Sequence, residues 1–350
     1  MTGSEPPQPV SPHTVTPHVT RAAHMPGEGG AAERRLREHV SKPGAPRWIG
    51  QVGNGILDLH VDLLHDPGDH ESRTPDELAE LRTECARVAR LLSMLCSEQD
   101  RRLEEVRTGR LIRVVLQTDE AAAFCLSVVP GQHIVGFQLG LSPTRPYAAV
   151  APADRVMVEL VNTRRTDLRV PSQDPGGLAS RPTRQPVEDP DSDASPDARS
   201  APSPVVTGEA AGEPPDSLVA TLRDRVLTTV DPESLHWTEL TRAGQPVFTI
   251  DQFGHPDMER HFELMTVEAR RKFYGELATD VHSIVSKLGR AIHSVRGGPV
   301  RSVVLDVEQG AIAIHRLGPQ EYLLGVTLNQ DRVQELEASM ATLAAVRTEM

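Results

Sequence analysis

Apolar residues recur along the second half of the chain in two periods, and the switches between them mark the elements. In "PDSLVATLRDRVLTTV", Leu218, Leu222, Val226 and Leu227 share one helical stripe, with Asp216 placed as its N-cap. "LHWTELTRAGQPVFTID" then turns at Ala243-Gly244, which predicts a hairpin. From about Thr266 to Val295, the residues Phe273, Leu277, Val281, Ile284, Leu288, Ile292 and Val295 return at steps of three and four. That is one continuous helical face, and Gly297-Gly298 ends it. "VRSVVLDV", "AIAIHRL" and "EYLLGVTL" read as three strands. Asn329 opens a last helix to about Thr348, with Val333, Leu336, Met340, Leu343 and Val346 along it. The predicted order is α-β-β-α-β-β-β-α.

The first half repeats this order in weaker text. Arg34 to Val40 is a short helix and "PRWIGQVGNGILDLHVDL" a hairpin. Thr74 caps a helix carrying Leu81, Cys85, Val88, Leu92, Leu95, Leu103 and Val106. "LIRVVLQT", "AAFCLSVV" and "HIVGFQL" are strands, and "PADRVMVELVN" is a last helix, shorter and poorer than its counterpart. The turn glycines Gly55 and Gly244 stand 189 positions apart. Applied without gaps, that shift lays Trp48 on Trp237, the chain's two tryptophans, Asp62 on Asp251, and "VVL" at 114–116 on "VVL" at 303–305. Gly136 meets Gly325 and Leu139 meets Leu328. A gapless match with both tryptophans in register indicates a duplicated domain.

The division that follows is a tail at 1–30, a first domain at 31–166, a linker at 167–215 and a second domain at 216–350. The linker is rich in Pro, Ser, Asp and Gly and too poor in large apolar residues to bury a core, and the tail is similar, so both are expected to be disordered. A flexible linker of this length spans roughly 35–40 Å, enough for the two domains to meet. A hydrophobic fraction of 38% suits two small domains joined by such segments.

A formal charge of -12 with no Lys/Arg block argues against nucleic acid or an anionic membrane surface as partner. The longest apolar runs fall short of a membrane span, and Met1 to Gly30 lacks the pattern of a secretory signal. Cys85, Cys96 and Cys125 form no CxxC pair and suit buried thiols in a reducing compartment. With few lysines and many Arg, Ala, Pro and Gly residues, the expectation is a cytoplasmic, bacterial protein.

The turn Ala243-Gly244-Gln245-Pro246-Val247-Phe248, the long central helix and the run "RSVVLDVEQGAIAIHRLGPQEYLLGVTL", with Gly310 and Gly325, resemble the roadblock/LC7 family. The resemblance covers 216–350 and, in fainter text, 31–162; the turn Gly53-Asn54-Gly55 departs from it by lacking the following proline. It implies an α+β fold: two domains, each a five-stranded, largely antiparallel sheet with flanking helices, pairing through the central helix and the edge strand after it. It implies no cofactor, and for many bacterial members a role as partner or activator of small Ras-like GTPases, for others assembly scaffolding. The nearest competing resemblance is to secretion-chaperone or YbjN-like domains, which dimerise and bind peptides.

Catalytic motifs are missing. The chain has no GxxxxGK[ST], GxSxG, HExxH or Rossmann GxGxxG, which leaves no assembled nucleophile, base and oxyanion donor. His60, His65 and His70 are spaced so that a strand and loop do not converge them on a metal, and the alternation around His315 places it outward. No catalytic, metal or cofactor residues are therefore assigned. Cys85 and Cys96 share a helix face and read as packing residues. Leu91, Met94 and Cys96 widen the apolar face of the first central helix, as a helix with two contacts requires, while Arg82, Arg87 and Arg90 read as a solvated face. The domain-pairing residues are expected to be Val88, Leu92 and Leu95 in the first copy and Leu277, Val281 and Ile284 in the second. The functional expectation is a non-enzymatic regulator or scaffold, an intramolecular pseudo-dimer that binds a small GTPase. The alternative is a peptide-binding chaperone or secretion accessory.

Overall fold

In a computed structural model of the chain, which describes residues 15–25, 30–65, 73–141, 146–178, 203–207, 217–295 and 298–346, the 189-residue shift runs through the architecture. The first repeat comprises β1 (His18–Arg21), α1 (Ala31–Val40), β2 (Trp48–Gly53), β3 (Ile56–Asp62), α2 (Pro75–Leu103), β4 (Leu111–Gln117), β5 (Ala121–Val129), β6 (Gln132–Leu139) and α3 (Pro146–Asp167). The second comprises β7 (Val205–Thr207), α4 (Ser217–Thr229), β8 (Trp237–Arg242), β9 (Gln245–Asp251), α5 (Val267–Ile292), β10 (Ser302–Val307), β11 (Gly310–Gly318), β12 (Glu321–Thr327) and α6 (Val333–Ala345).

Local chemistry fixes the shared elements. Both hairpins close on two residues of left-handed backbone, Asn54-Gly55 (φ 49° and 78°) and Ala243-Gly244 (φ 51° and 75°), the turn whose twist matches its strands. Thr74 caps α2, its hydroxyl accepting from the Glu77 amide while the Glu77 carboxylate takes the Thr74 amide; Thr266 caps α5 in the simpler one-bond form. At the end of each hairpin an aspartate fastens the central helix. Arg82 donates to Asp62 at 2.9 and 3.0 Å, and Arg271 to Asp251 at 2.9 and 2.8 Å. Gly136 and Gly325 also correspond: a Cβ there would fall 2.8 Å from the Met157 sulfur and 2.3 Å from that of Met340, so at both positions the absent side chain leaves room for a methionine of α3 or α6.

The fold is α+β, with one antiparallel twelve-stranded sheet in the order β1-β3-β2-β6-β5-β4-β10-β11-β12-β8-β9-β7. Each repeat supplies six neighbouring strands where five were expected, and the two sheets run into one because β4 and β10, the strands that follow the central helices, join in an antiparallel ladder. Alternating strand residues point to two apolar cores. One contains Trp48, Val114, Val303 and the inner faces of α2 and α5; the other contains Ile49, Val115, Val304 and residues of α1, α3, α4 and α6.

Three further expectations are corrected. The segments predicted to contribute no fold supply the outer strands: β1 pairs with β3 and β7 with β9, and Pro175–Gly177 is buried. Edge pairing is made by backbone groups, so composition does not announce it. The last helix of the first repeat, α3, is longer than its counterpart α6, not shorter. His315 is buried, because helices cover both faces of the sheet and alternation no longer separates core from solvent. Asp216, Gly297 and Thr348 lie outside the described residues.

Leu277 and Val281 are 1% and 0% exposed under α5. Leu277→Ala is expected to lower unfolding stability by about 2–5 kcal/mol, and Val281→Glu by more, since it buries a charge. Urea denaturation monitored by circular dichroism checks both; an unchanged midpoint for Val281→Glu would contradict the burial of this face.

Candidate functional site

The most informative region is the seam between the repeats. On the ladder of β4 with β10, Arg113 faces Asp306, Val115 faces Val304 and Gln117 faces Ser302. Under the 189-residue shift the first and last of these pairs exchange, and Val115–Val304 maps onto itself. A local two-fold axis therefore passes through that pair. The helices above obey the same axis. Lys287 Nζ lies 3.0 Å from Glu98 Oε1, and this pair too is its own image. On either side, Arg102 Nη2 reaches Asp280 at 2.7 Å and Arg87 Nη2 donates to Ser294 Oγ at 2.6 Å.

In a homodimer a residue on the axis meets its own copy. Here glutamate meets lysine, a complementarity closed to a homodimer and open to two unlike repeats.

The other face of the seam is asymmetric as well. The Arg113 side chain, 1% exposed, has Nε 3.0 Å from Asp306, Nη1 2.5 Å from Asp154 on α3, and Nη2 bonded to Glu337 on α6. Asp306 also accepts from the Gly176 amide and, at 3.0 Å, from Gln330 Nε2. By the repeat shift Arg113, Asp154, Asp306 and Glu337 correspond to Ser302, Leu343, Gln117 and Ala148, none of them charged, so this set of charges exists on one side of the axis only. The signal for it in the sequence is a lone charge within each apolar strand, Arg113 in "LIRVVLQ" and Asp306 in "SVVLDV".

Arg113 shares its one charge among Asp154, Asp306 and Glu337. Burial pushes the Asp154 carboxyl up to about 7, the attraction of Arg113 offsetting only part of the effect. Its second oxygen is buried without a partner, which suits the protonated form. Burial likewise raises Asp306 to about 6.

The expected pairing residues divide between core and seam. Val88, Leu92, Leu277 and Val281 lie in the core beneath the helices. Leu95, half-buried, and Ile284, buried, stand three residues before Glu98 and Lys287, at the shoulder between core and seam. The side-chain bonds that cross between the helices come from other positions: 87, 98 and 102 with 294, 287 and 280. Leu91 is half-buried, Cys96 is buried, and Met94 is 60% exposed. A Cβ on Gly55 would sit 4.0 Å from Met94, and Ile56 next to it is 56% exposed, so an apolar patch lies over the first hairpin turn. The corresponding residues of the second repeat are Ser283 and Gln245.

Of the arginines read as a solvated face, Arg82 clamps Asp62 and Arg87 bonds across the seam, while Arg90 is exposed. The three cysteines are buried and free. His65 is exposed and His70 lies outside the described residues; His60 instead stands with His18 and Asp62. Among the described residues, no helix is long and apolar enough to cross a membrane. No protein-family model, curated protein or solved structure matches the chain.

The raised carboxyls predict a pH dependence. An Asp whose folded pKa lies above its unfolded value of 3.8 binds more protons when folded, so its contribution is full below about pH 4 and is lost as pH rises through about 7. Asp154→Asn, which stays neutral, should flatten the decline of stability between pH 5 and 8 and leave the variant the more stable at pH 8. Urea midpoints at the two pH values measure this; equal slopes for variant and parent would contradict it.

Proposed function

We propose that the chain is a non-enzymatic regulator or scaffold of the roadblock/LC7 kind, whose two repeats form a fixed pseudo-dimer that receives a small Ras-like GTPase on the α2–α5 face. The observation that carries this reading is the two-fold seam with unlike residues on its axis. A symmetric dimer offers a partner two equivalent orientations. Divergence of the repeats removes one of them, and the patch of Met94 and Ile56, present in the first repeat alone, favours the first-repeat side. A regulator with no catalytic group of its own acts by preferring one nucleotide state of the switch, and its effect is limited by that affinity difference.

The rival reading, a peptide-binding chaperone, requires an open sheet face. Both faces of this sheet carry helices and buried cores, which favours the regulator.

The test is affinity capture from native lysate of the source organism with the full chain, in GDP and then in a non-hydrolysable GTP analogue. The expected result is recovery of a GTPase in one nucleotide state and its loss with Met94→Asp. Recovery of unfolded or secreted clients, with no GTPase in either state, would replace this reading with the chaperone one. Independently, cleavage at a protease site placed between 185 and 195 should leave two pieces that co-elute on size exclusion at micromolar concentration. Separation of the pieces would end the pseudo-dimer reading.

A further inference from the structure

His60 is 4% exposed and stacks on Trp48 with ring centroids 5.1 Å apart, yet neither of its ring nitrogens has a hydrogen-bond partner. A buried imidazole with both nitrogens unsatisfied is unfavourable unless something else binds it. Two groups stand close to it. Asp62 Oδ2 lies 3.9 Å from His60 Nε2 and 3.2 Å from His18 Nδ1. One donor atom from each of the three residues lies within 4.8 Å of the others. In a tetrahedral site with bonds of about 2.0–2.1 Å, ligand atoms stand roughly 3.4 Å apart, so small side-chain rotations close this set on an ion.

The comparison of repeats separates the scaffold from the addition. The second repeat keeps the salt bridge, Arg271 to Asp251, but has Thr249 in place of His60, and the residue paired across from Asp251 is Val205, where Asp62 has His18. The aspartate–arginine bridge is thus the common structural device, and the two histidines are particular to the first repeat. Arg82 does not exclude a metal. A carboxylate has about four lone-pair directions, and hydrogen-bonded carboxylates are usual metal ligands. In Asp62, Arg82 takes one direction on each oxygen and the Leu64 amide another on Oδ1; an ion would replace the His18 contact on Oδ2.

We propose that His18, His60 and Asp62 bind one divalent transition-metal ion, with Zn2+ the closest fit, and that this ion fastens β1 to the sheet. Two imidazoles and one carboxylate are a borderline donor set that suits Zn2+ and not Mg2+ or Ca2+. The fourth position opens on a groove of about 500 Å3 lined by Thr20, Asp58, Thr83 and Arg90, where water can complete the site. The ion has a mechanical purpose, because β1 pairs with its neighbour over only four residues at the rim of the sheet.

The test uses the full-length, untagged chain, stripped with chelator, loaded with Zn2+, desalted and assayed by elemental analysis. One retained equivalent is expected, with hydrogen exchange at residues 18–21 slowed by Zn2+ and unaffected by Mg2+. His18→Ala, at the exposed end of the set, should weaken binding at least tenfold, while His65→Ala should not. Retention of Zn2+ by His18→Ala, no retained ion in the parent, or protection appearing elsewhere and not at 18–21 would overturn the proposal. If His18→Ala fails to fold, the location of exchange protection in the parent decides.

Discussion

The ladder between β4 and β10 is the constraint from which the rest of the structure follows. Every residue of both strands is buried, so neither strand can leave its backbone donors and acceptors to solvent. Each is the inner edge of its own repeat, and the pairing satisfies both at once. Once the ladder forms about its two-fold axis, the adjoining helices α2 and α5 come to lie side by side, and α3 and α6 approach across the other face. The charged contacts between α2 and α5 are mostly exposed and are worth about 0.2–1 kcal/mol each. They orient the helices, and the backbone ladder with the two apolar cores holds the repeats together.

The buried Arg113 cluster is better understood as a register device than as a source of stability. Buried ion pairs are often no more stabilising than apolar residues of the same shape. A slip of β4 by one residue, however, turns Arg113 from Asp154, Asp306 and Glu337 into the apolar core beneath α2 and α5. An ion with no partner in that core is costly enough to exclude the slipped pairing. Gly176 carries the start of the inter-repeat segment into this cluster, so part of that segment belongs to the seam it spans.

Much of the fold was legible because duplication prints the same pattern twice. The hairpin turns, the central helices and the three-strand runs all appear at one constant shift, and the tryptophans set the register. What escaped the sequence was of two kinds. β1 and β7 are held at the rims by backbone bonds, which leave little trace in side-chain pattern. The sixth strand of each repeat has that origin, and the meeting of β4 with β10 carries no periodicity of its own and was expected from the family resemblance alone. The site was legible in part. The apolar stripes of α2 and α5 were plain, but the polar contacts that join them come from positions 87, 98, 102, 280, 287 and 294, which read as ordinary helix surface. His18 was invisible as a companion of His60 because the strand that brings it there lies in text expected to stay unstructured.

The inner-edge position of β4 also has a consequence for synthesis. When the ribosome has completed β4, that strand is an apolar edge without its neighbour, and β10 lies roughly 190 residues further on. At about 5–20 residues per second the nascent chain carries that open edge for about 10–40 s. During that interval the competing partner is the same edge on a neighbouring nascent chain. Such a pairing would set Glu98 against Glu98 and leave Arg113 facing a glutamine, where the intramolecular one supplies Lys287 and Asp306. The divergence of the two repeats thus disfavours the edge's pairing with a copy of itself while the chain is still being made.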